Sequence, residues 1–292
     1  MTAGQWQRKY TSIFNRAGIG DAADEAVVLL CHVLKLNRAA IFARQDRELS
    51  GEELGLLENL ANRRLKREPS AYILQNREFF GLDLYVDNRV LIPRPETEIL
   101  VEAAIGFARC WVERNKKTIT IADVGTGSGA IAVALALNVP GSLVYAADIS
   151  PAALEVAAVN ITRYGLNGCV STLQSDLLQQ INGGVDIIAA NLPYVADDGM
   201  MQLQPEIADH EPGLALQGGQ RGTEVIGRLL GQVPAKINPG GAVFLEIGDG
   251  QEDDIICLIG RSLPQYGFTL VKDLAGIHRV IKIEAKRLLT SI

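Results

Sequence analysis

Much of what marks a secreted, membrane-embedded or metal-dependent protein is scarce in this chain. Its 292 residues include four cysteines, at positions 31, 110, 169 and 257. They are scattered and form no CxxC pair, which points to reduced, structural thiols in a cytoplasmic protein and away from a disulfide framework. Three histidines, His32, His210 and His278, lie far apart without an HExxH pair, so no metal site is expected. No apolar run approaches the ~18 residues of a membrane span. The opening Met1–Arg8 has no apolar core of a secretory signal, and no membrane partner is expected. Positive charge is also short: the net charge is −6. Residues 1–72 carry 11 Lys and Arg against 9 Asp and Glu, whereas the remainder carries 17 against 25. An acidic bulk without a basic recognition segment argues against non-specific grip on duplex DNA, where phosphate neutralisation supplies most of the affinity. The run Arg63-Arg64-Leu65-Lys66-Arg67 reads as the solvated last turn of a helix, complementing its dipole.

What is present suits a globular protein with one large domain and one small one: 48% hydrophobic and 21% charged residues. The first seventy residues read as helices. Asp21 is placed to cap a helix through Lys35, whose apolar stripe is Val27, Val28, Leu30, Cys31 and Leu34. Ser50 followed by Glu53 is a capping-box pattern for a helix through Arg67, closed by Pro69. Between Arg77 and Ile92 three short β-like runs, Glu78–Phe80, Leu82–Val86 and Val90–Ile92, alternate with turn signals at Gly81 and Asp87-Asn88. They read as a hairpin linking two domains. Pro93 and Pro95 stiffen a loop before a helix from about Glu98 to Arg114, with Glu96 and Glu98 suited to its first turn. The expected divisions are a helical docking domain over 1–72, a hairpin linker over 73–92 and a catalytic domain over 93–292.

After Lys117 strands and helices alternate as a parallel α/β sheet requires. The expected strands are Ile119–Asp123, Leu143–Asp148, Cys169–Gln174, Asp186–Ala190 and Ala242–Ile247, with two more apolar runs at Phe268–Val271 and His278–Ile283. The expected helices are Ala130–Leu137, Pro151–Tyr164, Thr223–Lys236 and Gln251–Leu263. The first strand runs into Asp123-Val124-Gly125-Thr126-Gly127-Ser128-Gly129, where glycines allow a tight turn and close approach of a ligand. The second ends in Asp148, placed for ribose hydroxyls, and the third leads to Ser175-Asp176, within reach of an adenine amino group. A dinucleotide fingerprint needs its third glycine one residue later than Gly129. S-adenosylmethionine (AdoMet), which has no pyrophosphate, fits the spacing better.

The fourth strand ends in Asn191-Leu192-Pro193-Tyr194. Proline stops a central strand and pushes Leu192 into an extended conformation. The result is an Asn amide, an aimed carbonyl and an aromatic ring, a set that can accept hydrogen bonds from a planar NH2 group and cover its face. Read alone, the tetrapeptide is an ordinary proline turn. Read after the glycine loop, Asp148 and Asp176, it is a substrate loop.

On these motifs the chain resembles the class I AdoMet-dependent methyltransferases, and more narrowly the HemK-type release-factor glutamine methyltransferases. The block Leu91-Ile92-Pro93-Arg94-Pro95-Glu96-Thr97-Glu98 and the segment Glu211-Pro212 through Gly218-Gly219 extend the likeness. The resemblance implies a Rossmann-like α/β fold with a seven-stranded, mostly parallel sheet, a small N-terminal helical domain and a β-hairpin linker. It implies methyl transfer from AdoMet, with S-adenosylhomocysteine as product, to the glutamine side-chain nitrogen in the Gly-Gly-Gln motif of bacterial class 1 release factors. Carried onto matching positions, Gly125, Thr126, Gly127, Ser128 and Gly129 line the methionine part of AdoMet and Asp148 takes the ribose. Asp176 and Leu177 flank the adenine. Asn191, Leu192, Pro193 and Tyr194 hold the glutamine, with Asn191 also facing the cofactor. Two positions depart from the family pattern: Leu192 stands where proline is usual, and Leu177 where an aromatic residue often stands. A monomer with no direct nucleic-acid substrate is expected. The rival readings are a nucleic-acid adenine amino-methyltransferase and a non-catalytic AdoMet-binding protein. The chain's own Gly218-Gly219-Gln220 matches the substrate motif and reads as a glycine turn.

Overall fold

Capping chemistry and apolar spacing set the first part of the chain in the computed structural model, which describes residues 1–286. Helices α1 (Ala3–Arg16), α2 (Ala22–Leu34), α3 (Arg38–Ala43), α4 (Gly51–Leu65) and α5 (Ser70–Leu74) follow one another. Thr2 with Gln5, and Ser50 with Glu53, form reciprocal capping boxes at the starts of α1 and α4. Trp6, Phe14, Leu29, Leu30 and Leu57 are the large side chains of their common core. Asp21 does not cap α2 through its side chain: its backbone is left-handed, with φ of 48°. An N-cap side chain reaches the first-turn N–H groups from extended backbone, so Asp21 contributes only its carbonyl, to Glu25 N.

The basic run also differs from expectation. Arg64 is 4% exposed and pairs with Glu25 and with Glu206, at 3.2 and 2.9 Å. Arg67 pairs with the other oxygen of Glu206 at 2.7 Å, and Arg63 with Glu68. A buried guanidinium needs carboxylate partners to offset its lost hydration. Here Gln204–His210, far along the sequence, belong with Met1–Asn76 in one compact unit and supply one of those partners.

The second unit comprises Arg77–Leu203 and the described chain from Glu211 onward. It opens with a hairpin of β1 (Arg77–Phe79) and β2 (Leu82–Leu84), so the hairpin belongs to this unit. Val90–Ile92 form no strand. In chain order come α6 (Thr97–Asn115), β3 (Thr120–Val124), α7 (Ala130–Asn138), β4 (Leu143–Asp148), α8 (Pro151–Arg163), β5 (Val170–Gln174), β6 (Val185–Ala190) and β7 (Val195–Ala196). After α9 (Pro205–Ala208), which sits in the helical unit, follow β8 (Gln217–Gly219), α10 (Glu224–Gln232), β9 (Ile237–Glu246), α11 (Glu252–Ser262), β10 (Tyr266–Lys272) and β11 (His278–Ala285). Seven strands form one sheet in the order β10-β11-β9-β6-β3-β4-β5. The run from β9 to β5 is parallel, and β11 runs antiparallel to both its neighbours, β9 and β10.

The pleat sorts side chains between two cores. Ile121, Ile187, Ala189 and Phe244 face one core, completed by α6, α7 and α8. Ala122, Val124, Ile188, Ala190, Val243 and Leu245 face the other, completed by α10 and α11. Helix α7 is apolar all round, with Ala130 through Ala136 buried, as expected of a helix enclosed on every side. The parallel strands β3, β4, β5 and β6 therefore end together, and their C-terminal ends carry the motifs read from the sequence.

Candidate active site

The glycine loop is built by backbone bonds. Gly125 N and Thr126 N both donate to the Ala147 carbonyl, at 2.8 and 3.0 Å, and Gly129 N closes the turn on Thr126 O. Gly125, Gly127 and Gly129 all have positive φ, which only glycine adopts without strain. A Cβ on Gly129 would also lie 3.2 Å from Ala157 Cβ, so this glycine lets α7 approach α8. Beneath the loop Asp123 is fully buried. Its Oδ2 accepts from the Thr126 hydroxyl at 2.6 Å and from Ala132 N at 3.0 Å, joining the loop to the start of α7. Burial pushes the Asp123 carboxyl up to about 7, against those two hydrogen bonds.

Asp148 closes the second side. Its two oxygens accept from Gly127 N and Ser150 N, both at 2.9 Å, and burial raises its pKa above the ordinary carboxylate range. Asp176 and Leu177 follow β5; Leu177 is buried, with φ of 56°, and the Ser175 hydroxyl donates to its carbonyl at 2.8 Å. A cleft of about 220 Å³ is lined by Gly125 through Ser128, Asp148, Asp176, Leu177, Asn191, Leu192 and Pro193. Of its lining cations, Arg89 is paired with Asp87 and Glu155, and Arg228 with Asp176. A diol-accepting carboxylate, a glycine cradle and an apolar wall suit a nucleoside sulfonium such as AdoMet.

The Asn191-Leu192-Pro193-Tyr194 loop is held differently. Asn191 is half-buried and its Nδ2 donates to the Thr97 hydroxyl at 3.0 Å. Leu192 is buried, and its Cδ2 lies 3.1 Å from where a Cβ on Gly125 would stand, so the two loops touch. Gln251 donates from Nε2 to the Tyr194 carbonyl at 2.9 Å and accepts at Oε1 from Gly248 N. The strand β7 continues the loop and pairs with β8, where a Cβ on Gly218 would lie 2.8 Å from the Pro193 carbonyl. Gly218 is thus a glycine because the backbone of Gly222 and the Pro193 carbonyl both pass against it. Arg94 reaches Glu211 at 2.5 Å, and Glu211 also accepts from Ile92 N.

All the sequence-derived site residues except two line this one cleft. Gly129 lies behind it, against α8, and Tyr194 is not among the lining residues. Burial, with the nearby Glu246 carboxylate, pushes the Tyr194 hydroxyl up to about 12. Glu246 is itself 2% exposed and pushed up to about 7 by burial. Asp123 and Thr97 stand in the motifs quoted from the sequence without a role of their own, and Glu246 stands in none. Thr97 lies inside the Pro-Arg-Pro-Glu-Thr-Glu block, which was the available signal. Among the described residues no group of His, Cys, Asp or Glu is placed to hold a metal, and no helix is long and apolar enough to cross a membrane.

Comparison with known proteins agrees with this geometry. Residues 5–74 match the PrmC N-terminal domain, and residues 108–245 the methyltransferase small domain. The release factor glutamine methyltransferase of Koribacter versatilis is 40% identical over 258 residues, 88% of this chain and 89% of the relative. The protein of the same name from Geobacter sulfurreducens is 35% identical over 277 residues, 94% of this chain and 93% of the relative. A solved methyltransferase structure from Pyrococcus furiosus, at 20% identity, covers 79% of this chain and all 100% of its own with a TM-score of 0.50, a likeness of fold.

Proposed function

The chain belongs to the release factor glutamine methyltransferases, and on that premise we propose that it methylates the side-chain amide nitrogen of the glutamine in the Gly-Gly-Gln motif of bacterial class 1 release factors. AdoMet is the donor and S-adenosylhomocysteine the product. The observation that carries the reading is one cleft lined by both the glycine loop with Asp148 and the Asn191-Leu192-Pro193 loop. A cytoplasmic enzyme acting as a monomer is part of the proposal, with neither membrane nor nucleic acid as direct substrate.

Bound in this cleft, AdoMet would supply a methyl group on a sulfonium, which needs an in-line nucleophile. An amide nitrogen is a poor one, because its lone pair is delocalised into the carbonyl. The Asn191 side-chain oxygen and the Leu192 carbonyl each accept one N–H of the glutamine amide. That arrangement favours pyramidalisation and points the nitrogen lone pair at the donor end of the cleft. Catalysis then rests on positioning and preorganised dipoles, and no strong base is needed. The surplus proton of the methylated nitrogen passes to solvent. Gly125, Thr126, Gly127, Ser128 and Gly129 shape the methionine side, Asp148 holds the ribose, and Asp176 and Leu177 bound the adenine. Leu192 supplies the carbonyl that proline supplies elsewhere, and Pro193 keeps it extended. Tyr194, read from the sequence as covering the amide face, does not line the cleft, and its carbonyl accepts from Gln251.

Labelled AdoMet offered to purified release factor and, separately, to methyl-free DNA tests the proposal. Label in the release factor alone is expected. Label in DNA alone would favour an adenine amino-methyltransferase, for which a flipped base would occupy the acceptor end.

A further inference from the structure

Beyond the residues that line the cleft, we infer that Asn160 is a positioning residue for the cofactor: its amide sets the Ser128 peptide of the glycine loop, and with it the methionine side of the AdoMet site. The inference rests on the reading that Gly125 through Gly129 shape that side.

Hydrogen bonds to backbone groups carry it. Asn160 lies in α8 and is 0% exposed. Tyr85 N donates to its Oδ1 at 2.7 Å, and its Nδ2 donates to the Tyr85 carbonyl at 2.9 Å and to the Ser128 carbonyl at 2.8 Å. A primary amide has two N–H bonds, and both are used. A backbone N–H only donates and a backbone carbonyl only accepts, so these three partners admit one orientation of the amide. Turned over, Oδ1 would face two carbonyls and Nδ2 would face the Tyr85 N–H. Tyr85 thus fixes the amide, and the amide holds Ser128. Without it the buried Ser128 carbonyl must find another partner, or the loop must shift.

The placement is specific. Ser128 lines the cleft and Asn160 does not, so Asn160 acts only through the loop. Three residues earlier on the same helix face, Ala157 meets Gly129, where a Cβ would lie 3.2 Å from Ala157 Cβ. The small Ala157 lets the loop come close, and Asn160 grips it there. Helix α8 follows β4, which ends in Asp148, and Asp148 takes Gly127 N. The β4–α8 stretch therefore holds the loop at two successive residues, Gly127 from Asp148 and Ser128 from Asn160, and of these two side chains only Asp148 lines the cleft.

The test is calorimetry on the full-length enzyme with two ligands: S-adenosylhomocysteine, which has the amino-acid part, and methylthioadenosine, which lacks it. Asn160→Leu keeps the bulk and removes all three hydrogen bonds. Asn160→Asp keeps the shape and the acceptor for Tyr85 N, sets an oxygen against the two carbonyls, and serves where the leucine variant does not fold. Both should bind S-adenosylhomocysteine about tenfold or more weakly, as loss of a buried hydrogen-bond partner implies, while methylthioadenosine stays within about threefold of wild type. Ile161→Ala, at the neighbouring buried position, is the control for stability alone: it should lower Tm and leave the ratio of the two affinities unchanged. An unchanged ratio in the Asn160 variants, an equal loss for both ligands, or the same selective loss in Ile161→Ala would overturn the positioning role. Wild-type enzyme that binds the two ligands equally well would instead overturn the placement of the methionine part on which it rests.

Discussion

The two ends of the cleft are made by different means. The donor end is local: Gly125, Thr126 and Gly129 are held by backbone bonds within one strand-turn-helix unit and to the adjoining strand. Asp148 completes it by accepting Gly127 N, 21 residues away. The acceptor end is assembled from distant chain. Asn191 leans on Thr97, 94 residues earlier, and the Tyr194 carbonyl on Gln251, 57 residues later. Arg94 and Glu211, which brace the flanking segments, are 117 residues apart. A site that must bind a common cofactor can be encoded in one short spacing. A site that must orient a substrate amide needs side chains whose own orientation is set by others.

If this division is right, substitutions at the two ends separate cleanly. The largest effect is expected at Asn191. Asn191→Ala should lower methyl transfer by roughly a hundredfold or more, as loss of one preorganised polar partner does, with little change in AdoMet affinity by calorimetry. Equal losses in both would merge the two ends. Asp148→Ala should do the reverse, weakening AdoMet by ~1.5–3 kcal/mol, the usual range for hydrogen bonds to a charged group.

A third effect is shared by both ends. Burial holds Asp123 and Glu246 protonated up to about pH 7 in the folded protein. In the unfolded chain both ionise in the ordinary carboxylate range. Between those values the native state binds more protons than the unfolded one, so stability falls as pH rises through that window and levels off above it. The cofactor-free enzyme should therefore show a Tm that declines from about pH 5 to about pH 7, the window set by those raised values. Asp123→Asn should flatten the slope at the donor end and Glu246→Gln at the acceptor end. A Tm rising with pH across this range would contradict the burial assigned to both carboxyls. The smallest change is expected for Leu192→Pro, which keeps the carbonyl and stiffens the loop. Its turnover should stay within about threefold of wild type; a large loss would mean that the Leu192 side chain itself, packed over Gly125, shapes the acceptor end.

The same division explains what the sequence made legible. All seven strands of the main sheet and the glycine loop follow from apolar runs and turn residues, because each is a property of a few neighbouring positions. Asp148 and Asp176 follow from standing at strand ends. Readings that required knowledge of a distant partner fared worse. Arg64 looks like a solvated cation until Glu25 and Glu206 are seen beside it. Residues 204–210 carry no signal that they pack with the helices. Asp21 has a good capping side chain, but its backbone is left-handed and that side chain makes no capping hydrogen bond. Thr97 sits in the Pro-Arg-Pro-Glu-Thr-Glu block and receives no role of its own from the sequence, since its partner Asn191 lies 94 residues on.

The most direct test of the account is to map where the methyl group lands. Purified release factor should be incubated with wild-type enzyme and AdoMet, digested, and the peptides sequenced by mass spectrometry. The account predicts one methyl group on the side-chain nitrogen of the Gly-Gly-Gln glutamine, nearly absent with the Asn191→Ala enzyme. A methyl group on another residue type, or equal modification by the Asn191→Ala enzyme, would contradict it.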